Sequence, residues 1–238
     1  MKGLTIRLIG GIGIWHVCPS ASKLLFKREY DDIDVIGLRN ELKAISEFFN
    51  GVGYKANQRF NAIYGNRRLI FINEDNGRRV DVFFNRFEMS HKFDFKDRLF
   101  LCKPTLPVSD LLMTKLQIAN LNEKDIKDIL VIFLDHEFGA EPCRNIEPKY
   151  INKYTCSDWG IYKTFTDNLT KVSHYLYELP ADKELKEVVG GKILTFTHEI
   201  EKSPKSANWK IRNIIGTRKR WYDDVSDLPE LDYSQSGP

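Results

Sequence analysis

Apolar and polar positions along this 238-residue chain change rhythm near residue 105, from short alternating runs to helical spacing. Residues 4–9 alternate and predict a strand closed by Gly10-Gly11. Residues 12–17 predict a short helix stopped near Pro19, with a second helical piece over 22–26. Residues 32–36 predict a strand in which Asp32 and Asp34 project from one face while Ile33 enters the core, because successive side chains alternate. Leu42, Ile45, Phe48 and Phe49 recur at helical spacing within 39–50, and Gly51 suits the position just past that helix. Three β-type segments follow, over 60–64, 68–73 and 79–84. The last two flank Glu74-Asp-Asn-Gly77, whose Asn-Gly end is a strong hairpin signal.

A charged, proline-containing stretch over 96–107 marks the change, and from there the pattern is helical. Ser109 predicts the cap of a helix running to Asn120. A second helix starts near Asn122 and carries Ile126, Ile129, Ile132 and Leu134. Its first turns hold Glu123, Asp125 and Asp128, where the helix dipole favours acids. Phe165, Leu169, Val172, Leu176 and Leu179 form one apolar stripe ended by Pro180. Another helical segment spans 182–201, interrupted by Gly190-Gly191, and a third spans 206–222. The tail from Asp223 reads as polar and poorly ordered.

Composition narrows the class. Hydrophobic content of 42% and charged content of 29% describe an ordinary globular protein, and a net charge of +3 does not by itself imply nucleic acid. Cys18, Cys102, Cys143 and Cys156 show no CxxC spacing, which speaks against a zinc ribbon or a disulfide scaffold and for reduced thiols in the cytoplasm. The N-terminal apolar run loosely mimics a signal peptide, but Arg7 interrupts it. No run reaches the ~18 apolar residues a membrane span requires. Between 202 and 221 lie seven basic residues and no acid (Lys202, Lys205, Lys210, Arg212, Arg218, Lys219, Arg220), with Trp209, Trp221 and Tyr222 interleaved or adjacent. That run reads either as a solvated basic face or as a surface toward RNA.

The candidate chemistry is carboxylate-based. Asp32 and Asp34 on one strand face repel each other, and a hard divalent cation relieves that repulsion. Asp81 is a lone acid inside the apolar strand Val80-Asp81-Val82-Phe83-Phe84. Burying it unpaired is costly, so it has either a function or a partner such as Arg78 or Arg79. A glycine pair after a strand lets a phosphate approach the backbone amides that open the next helix, though such pairs also serve as plain turns. The five histidines show no metal-ligand spacing.

Strand, Gly-Gly turn, helix, Asp-x-Asp strand and a later lone Asp in a strand follow the order of parts in the polymerase-β-like nucleotidyltransferase superfamily. More narrowly, the chain resembles the AbiEii-type nucleotidyltransferases, the toxin halves of some abortive-infection and toxin–antitoxin pairs. Gly10-Gly11 matches the family's glycine turn. Arg28-Glu-Tyr-Asp-Asp32-Ile-Asp34 matches its Arg-x-Thr/Ser-x-Asp-Ile-Asp run, with Tyr30 in place of the small hydroxyl residue. Leu111-x-x-x-Lys115-x-x-x-Ala119 is similar to its lysine-bearing helix, and Lys124-Asp125-Ile-Lys-Asp128-Ile to its Arg/Lys-Asp-x-x-Asp-Leu helix. The likeness covers residues 4–135; Pro19, lying between the glycine turn and the acids, departs from it.

The resemblance implies an α+β fold: a mixed, nucleotidyltransferase-type β-sheet flanked by helices over 1–105, followed by a helical domain over 106–238 that contributes Lys115, Asp125 and Asp128. It implies transfer of a nucleoside monophosphate from a nucleoside triphosphate to a hydroxyl, with pyrophosphate released. The acceptor would be tRNA or another RNA, a protein, or a small molecule of the aminoglycoside type, and an antitoxin protein would be a partner. Asp32, Asp34 and Asp81 would hold two Mg²⁺ ions, and Gly10 and Gly11 the β- and γ-phosphates. Lys115 would bind the triphosphate, with its removal weakening nucleotide use without unfolding the chain. Asp125 and Asp128 would orient Lys115 or the nucleotide, and Arg28 would be a phosphate or structural contact. A non-catalytic nucleotide- or partner-binding module on the same scaffold is the competing reading.

Overall fold

Gly77 adopts φ +68°, the left-handed conformation that a β-branched or bulky residue resists, and the arms on either side pair as predicted. They are β4 (Arg68–Asn73) and β5 (Arg79–Phe84), antiparallel in a computed structural model that describes residues 3–224. Strand β2 (Asp32–Gly37) runs parallel to β5 on its other side, and β1 (Ile6–Leu8) runs antiparallel to β2. With β3 (Tyr54–Ala56) beyond β4, the order across the mixed sheet is β1-β2-β5-β4-β3. A small hairpin of β6 (Arg86–Glu88) and β7 (Lys92–Asp94), which the hydrophobic pattern does not announce, continues from the end of β5.

Alternation along the strands separates two apolar layers. On one face Val35, Leu69, Phe71, Val80, Val82 and Phe84 pack with Ile45 and Phe49 of α2 (Leu42–Gly51), and Ile33 joins them partly buried. Phe48 points outward instead. On the other face Ile36 and Phe83 meet α1 (Gly10–Val17), α4 (Val108–Leu116) and α5 (Glu123–Asp135). This second cluster continues through α6 (Pro148–Ser157), α7 (Trp159–Glu178) and α8 (Lys183–Lys202), with Phe133, Phe165 and Phe196 fully buried. Each such side chain contributes roughly 1.5–3 kcal/mol by leaving water. The architecture is α+β, as expected, with a mixed sheet flanked by helices and a helical second half. Among the described residues no helix is long and apolar enough to cross a membrane.

Several local expectations give way. Residues 60–64 form no strand; they lie in α3 (Gln58–Tyr64), because the Asn57 side chain caps the helix by accepting from the Phe60 amide. Asn61 then ties α3 to β4 through both ends of its amide, donating to the Ile70 carbonyl and accepting from the Ile70 amide. No helix forms over 22–26: a 3₁₀ turn spans Pro19–Ser22, and the chain then makes a turn closed by the Phe26 and Lys27 amides on the Lys23 carbonyl. Ser109 does not cap α4; it lies buried within that helix and its hydroxyl accepts from the Glu147 amide. Gly190-Gly191 leave α8 uninterrupted, whereas the next helix, α9 (Ala207–Ile215), stops at Gly216, which has φ +58°.

The four thiols are not all reduced. Cys102 and Cys143 form a disulfide, while Cys18 and Cys156 are free. Cys102 and Cys143 are 41 residues apart and meet where the strap after Cys102 is held from both sides: the Leu8 amide donates to the Pro104 carbonyl and the Val108 amide to the Pro142 carbonyl. No sequence spacing encodes that meeting.

The aromatic residues of the basic C-terminal run are used for packing. The Trp221 indole N–H donates to Thr164 of α7, and its ring meets Trp159 edge-on. The Arg212 guanidinium lies 4.7 Å from the Trp159 ring centre and donates to the Gly216 and Lys219 carbonyls. Lys205 sits between the rings of Tyr162 and Trp209. The tail expected to be poorly ordered lies, from residue 225 onward, outside the described residues.

Candidate active site

Parallel pairing of β2 with β5 decides the site. Its register sets Asp32 opposite Arg79 and Asp34 opposite Asp81, all four on the sheet face toward α1. Carboxylate oxygens of Asp32, Asp34 and Asp81 thereby come within 4.8 Å of one another, although Asp81 is 47 residues from Asp34 in the chain. Asp81 is fully buried and Asp34 partly so. Burial first, then the charges of Asp32 and Asp81, push the Asp34 carboxyl up to about 7, against an opposing pull from Lys115 and Arg68.

Two arginines face these acids: Arg79, one of the two partners expected for Asp81, and Arg68, which was not among them. Arg68 Nη2 donates to Asp81 Oδ2 at 2.6 Å, and Arg79 Nη2 lies 2.9 Å from both Asp81 Oδ2 and Asp32 Oδ2. A signal for both existed. Arg79 precedes Asp81 by two positions on one strand, and Arg68 precedes by two the residue Ile70 that stands opposite Asp81. Both are therefore same-face neighbours of Asp81, one along the strand and one on the diagonal.

Asp81 Oδ1 has no hydrogen-bond partner, although it is buried. A buried carboxylate oxygen left in that condition is expensive unless something electropositive meets it. The donor set, three carboxylates, is that of a hard divalent ion such as Mg²⁺, so the residues present fit the metal that the acidic pattern implies.

The glycine pair opens α1 instead of forming a free turn before it, and it touches the site closely. Gly10 has φ +58°, and a Cβ there would collide with Asp34 Oδ2; a Cβ at Gly11 would run into Arg28 Nη2. The first amides of a helix have no intrahelical acceptor, so these two residues open α1 with no side chain between the backbone and its neighbours, Gly10 against Asp34 and Gly11 against Arg28. Gly10→Ala is expected to lower the thermal midpoint by several degrees, consistent with a cost of about 1–3 kcal/mol for a strained left-handed residue, and to cut transfer as Asp34 is displaced. A variant with wild-type melting and activity would show that the close approach does not matter.

Arg28, Lys115, Asp125 and Asp128 form one buried charge cluster. Lys115 Nζ lies 2.8 Å from Asp125 Oδ1 and 3.0 Å from Asp128 Oδ2. Burial alone would lower the lysine pKa, but Asp128 and Asp125 hold the ammonium above its ordinary value. Arg28 grips Asp128 with two donors, Nε at 3.0 Å and Nη2 at 2.8 Å, and stacks on Tyr30 at 4.2 Å. Tyr30, where the resembled family carries a small hydroxyl, is thus a platform for Arg28. Asp125 has a second duty: with Asn122 it closes the capping box of α5. The acid-at-helix-start reading and the charge-cluster reading of Asp125 therefore both describe it.

No protein-family model matches the chain, and no curated protein does. Among solved structures, the chain is similar to the lincosamide antibiotic adenylyltransferase LnuA in its lincomycin-bound form. That likeness has 17% identity and a TM-score of 0.39, over 54% of this chain and 85% of the other. A likeness so distant decides no function, and the carboxylate geometry stands by itself.

Proposed function

We propose that the protein is a nucleotidyltransferase that moves a nucleoside monophosphate from a nucleoside triphosphate to a hydroxyl acceptor. The observation that carries the reading is the convergence of Asp32, Asp34 and Asp81 from two adjacent parallel strands, with one buried carboxylate oxygen unmatched, beside the side-chain-free start of α1. Balanced, the acceptor oxygen bonds to the α-phosphorus, the bond to the β-phosphate bridging oxygen breaks, pyrophosphate leaves and the hydroxyl proton passes to a base. Asp32, Asp34 and Asp81 would hold two Mg²⁺ ions, which supply charge neutralisation at the attacking and leaving oxygens and lower the hydroxyl's pKa.

The chain's own groups do the rest. Amides of Gly10 and Gly11 receive the β- and γ-phosphates. Asp81, as a ligand of the metal that would activate the acceptor hydroxyl, would help receive its proton. Lys115, steadied by Asp125 and Asp128, sets a fixed positive charge near enough to act on Asp34, on the side where pyrophosphate charge develops. Arg28 steadies Asp128 and through it the lysine.

Incubation with each labelled nucleoside triphosphate and Mg²⁺, together with total RNA, protein extract or a panel of hydroxylated antibiotics, tests the reading. Label on an acceptor with matching pyrophosphate release is expected. Failure of every triphosphate to bind in Mg²⁺ would sink it. An RNA acceptor, the form that goes with an antitoxin partner, predicts steep salt dependence; a small molecule predicts almost none. Addition of Mg²⁺ or Mn²⁺ is also expected to raise the melting temperature, an effect that Asp32→Asn removes; a shift that survives this substitution would place the metal elsewhere.

A further inference from the structure

We propose that Arg79 and a divalent cation compete for Asp32 and Asp81, so that metal entry drives the Arg79 guanidinium out of the site while Arg68 stays. This rests on the metal reading above and adds a gate to it. Arg79 Nη2 spans the two carboxylates at 2.9 Å each, and those carboxylates belong to the three whose oxygens lie within 4.8 Å. A guanidinium has hydrogens to donate and no lone pair to ligate a metal, and its charge repels a dication at close range. One nitrogen between Asp32 and Asp81 and an ion bridging them therefore exclude each other.

The two arginines differ in burial. Arg68 lies under the rings of Phe83 (5.1 Å) and Phe60 (5.9 Å), with 15% of its side chain exposed and Asp81 as its carboxylate. Arg79 has about twice that exposure, 33%. Asp81 presents two oxygens with different histories: Oδ2 takes both arginines, and Oδ1 takes no hydrogen bond. An ion can thus bind Asp81 Oδ1 without breaking the Arg68 contact, but bridging to Asp32 sets it against the Arg79 charge that lies on both carboxylates. Apparent metal affinity is then lowered by the fraction of time in which Arg79 holds its place.

Mn²⁺ titration of the full chain without nucleotide, read from the free-ion paramagnetic resonance signal, tests this on wild type, Arg79→Gln, Arg79→Lys and Asp32→Asn. Arg79→Gln is expected to bind Mn²⁺ about tenfold more tightly than wild type, the scale of two partly exposed ion pairs. Arg79→Lys, which keeps the charge but replaces the planar guanidinium with a compact ammonium on a different stem, falls between them. In a chelator Arg79→Gln melts below wild type, and saturating Mn²⁺ narrows that gap, which a purely structural arginine would not do. If wild type binds Mn²⁺ and both Arg79 variants bind it equally or more weakly, the competition is wrong and the metal site survives. If none of the four proteins binds Mn²⁺, the metal reading falls and this inference falls with it.

Discussion

Asp34→Asn is expected to abolish nucleotidyl transfer and, in a chelator at about pH 8, to make the protein more stable than wild type. The first effect follows from removing one of three carboxylates at the site; a loss of about 10³-fold or more is the scale of removing a group that acts on the reacting centre. The second follows from the raised pKa. Below the ordinary carboxyl value of 3.8 the group is protonated in folded and unfolded chain alike and makes no difference between them. From there up to about 7 the unfolded chain gives up its proton first, so wild-type stability falls as pH rises, and above about 7 the penalty is complete.

Asparagine carries no such penalty, so the variant's advantage is absent in acid, opens through that window and is constant above it. Screened by solvent on the partly exposed side of the group, the gain is about 1–2 kcal/mol, or roughly 2–8 °C at this chain length. Melting curves in chelator across the pH range, beside a pyrophosphate-release assay, check both halves. Residual transfer near the wild-type rate, or a variant that is less stable at high pH, would show that Asp34 is not held between its carboxylate neighbours as described.

Lys115→Ala is expected to cost about 3–5 kcal/mol, a midpoint drop of roughly 6–20 °C. This reverses what the sequence suggests, a lysine whose loss spares the fold. The reason is burial: Lys115 shows 12% exposure and lies between Asp125 and Asp128, which show 8% and 3%. Removing the ammonium leaves two carboxylates in a dry site with one counter-charge, Arg28 on Asp128, and for Asp125 only the long Asn122 amide hydrogen bond among the described residues. Asp125→Asn in the Lys115→Ala background should recover part of the loss, since one stranded charge is gone. Calorimetry on the single and double variants decides it: a Lys115→Ala protein that melts like wild type would mean that the lysine does not hold the cluster together. Transfer should fall as well, and measuring it well below the variant's melting temperature separates loss of function from loss of fold.

What the sequence determined by itself is local. Asn76-Gly77 chose a tight turn because glycine takes a positive φ without steric cost, and the alternation over 68–73 and 79–84 put Val80 and Val82 in one layer and Asp81 in the other. The same alternation committed Asp32 and Asp34 to one face, and the Asn122–Asp125 pair announced the start of α5. Each of these depends on neighbours a few residues apart, whose geometry the backbone transmits directly. Where two local preferences compete, the pattern misled: the apolar run at 60–64 suits a strand, but Asn57 four residues upstream of Asn61 caps a helix and outweighs it.

Tertiary structure decided everything that depends on register and docking. A shift of β5 against β2 by one residue would turn Asp81 into the opposite layer and dissolve the site, and no local signal sets a parallel register between strands 47 residues apart. The docking of α5 brings Asp128 to Arg28 across 100 residues, and the strap at Pro104 brings Cys102 to Cys143. The sequence supplied the acids and their faces; only packing the helical half against the sheet gave them counter-charges, because electrostatic partnership falls off with distance in space and takes no account of distance along the chain.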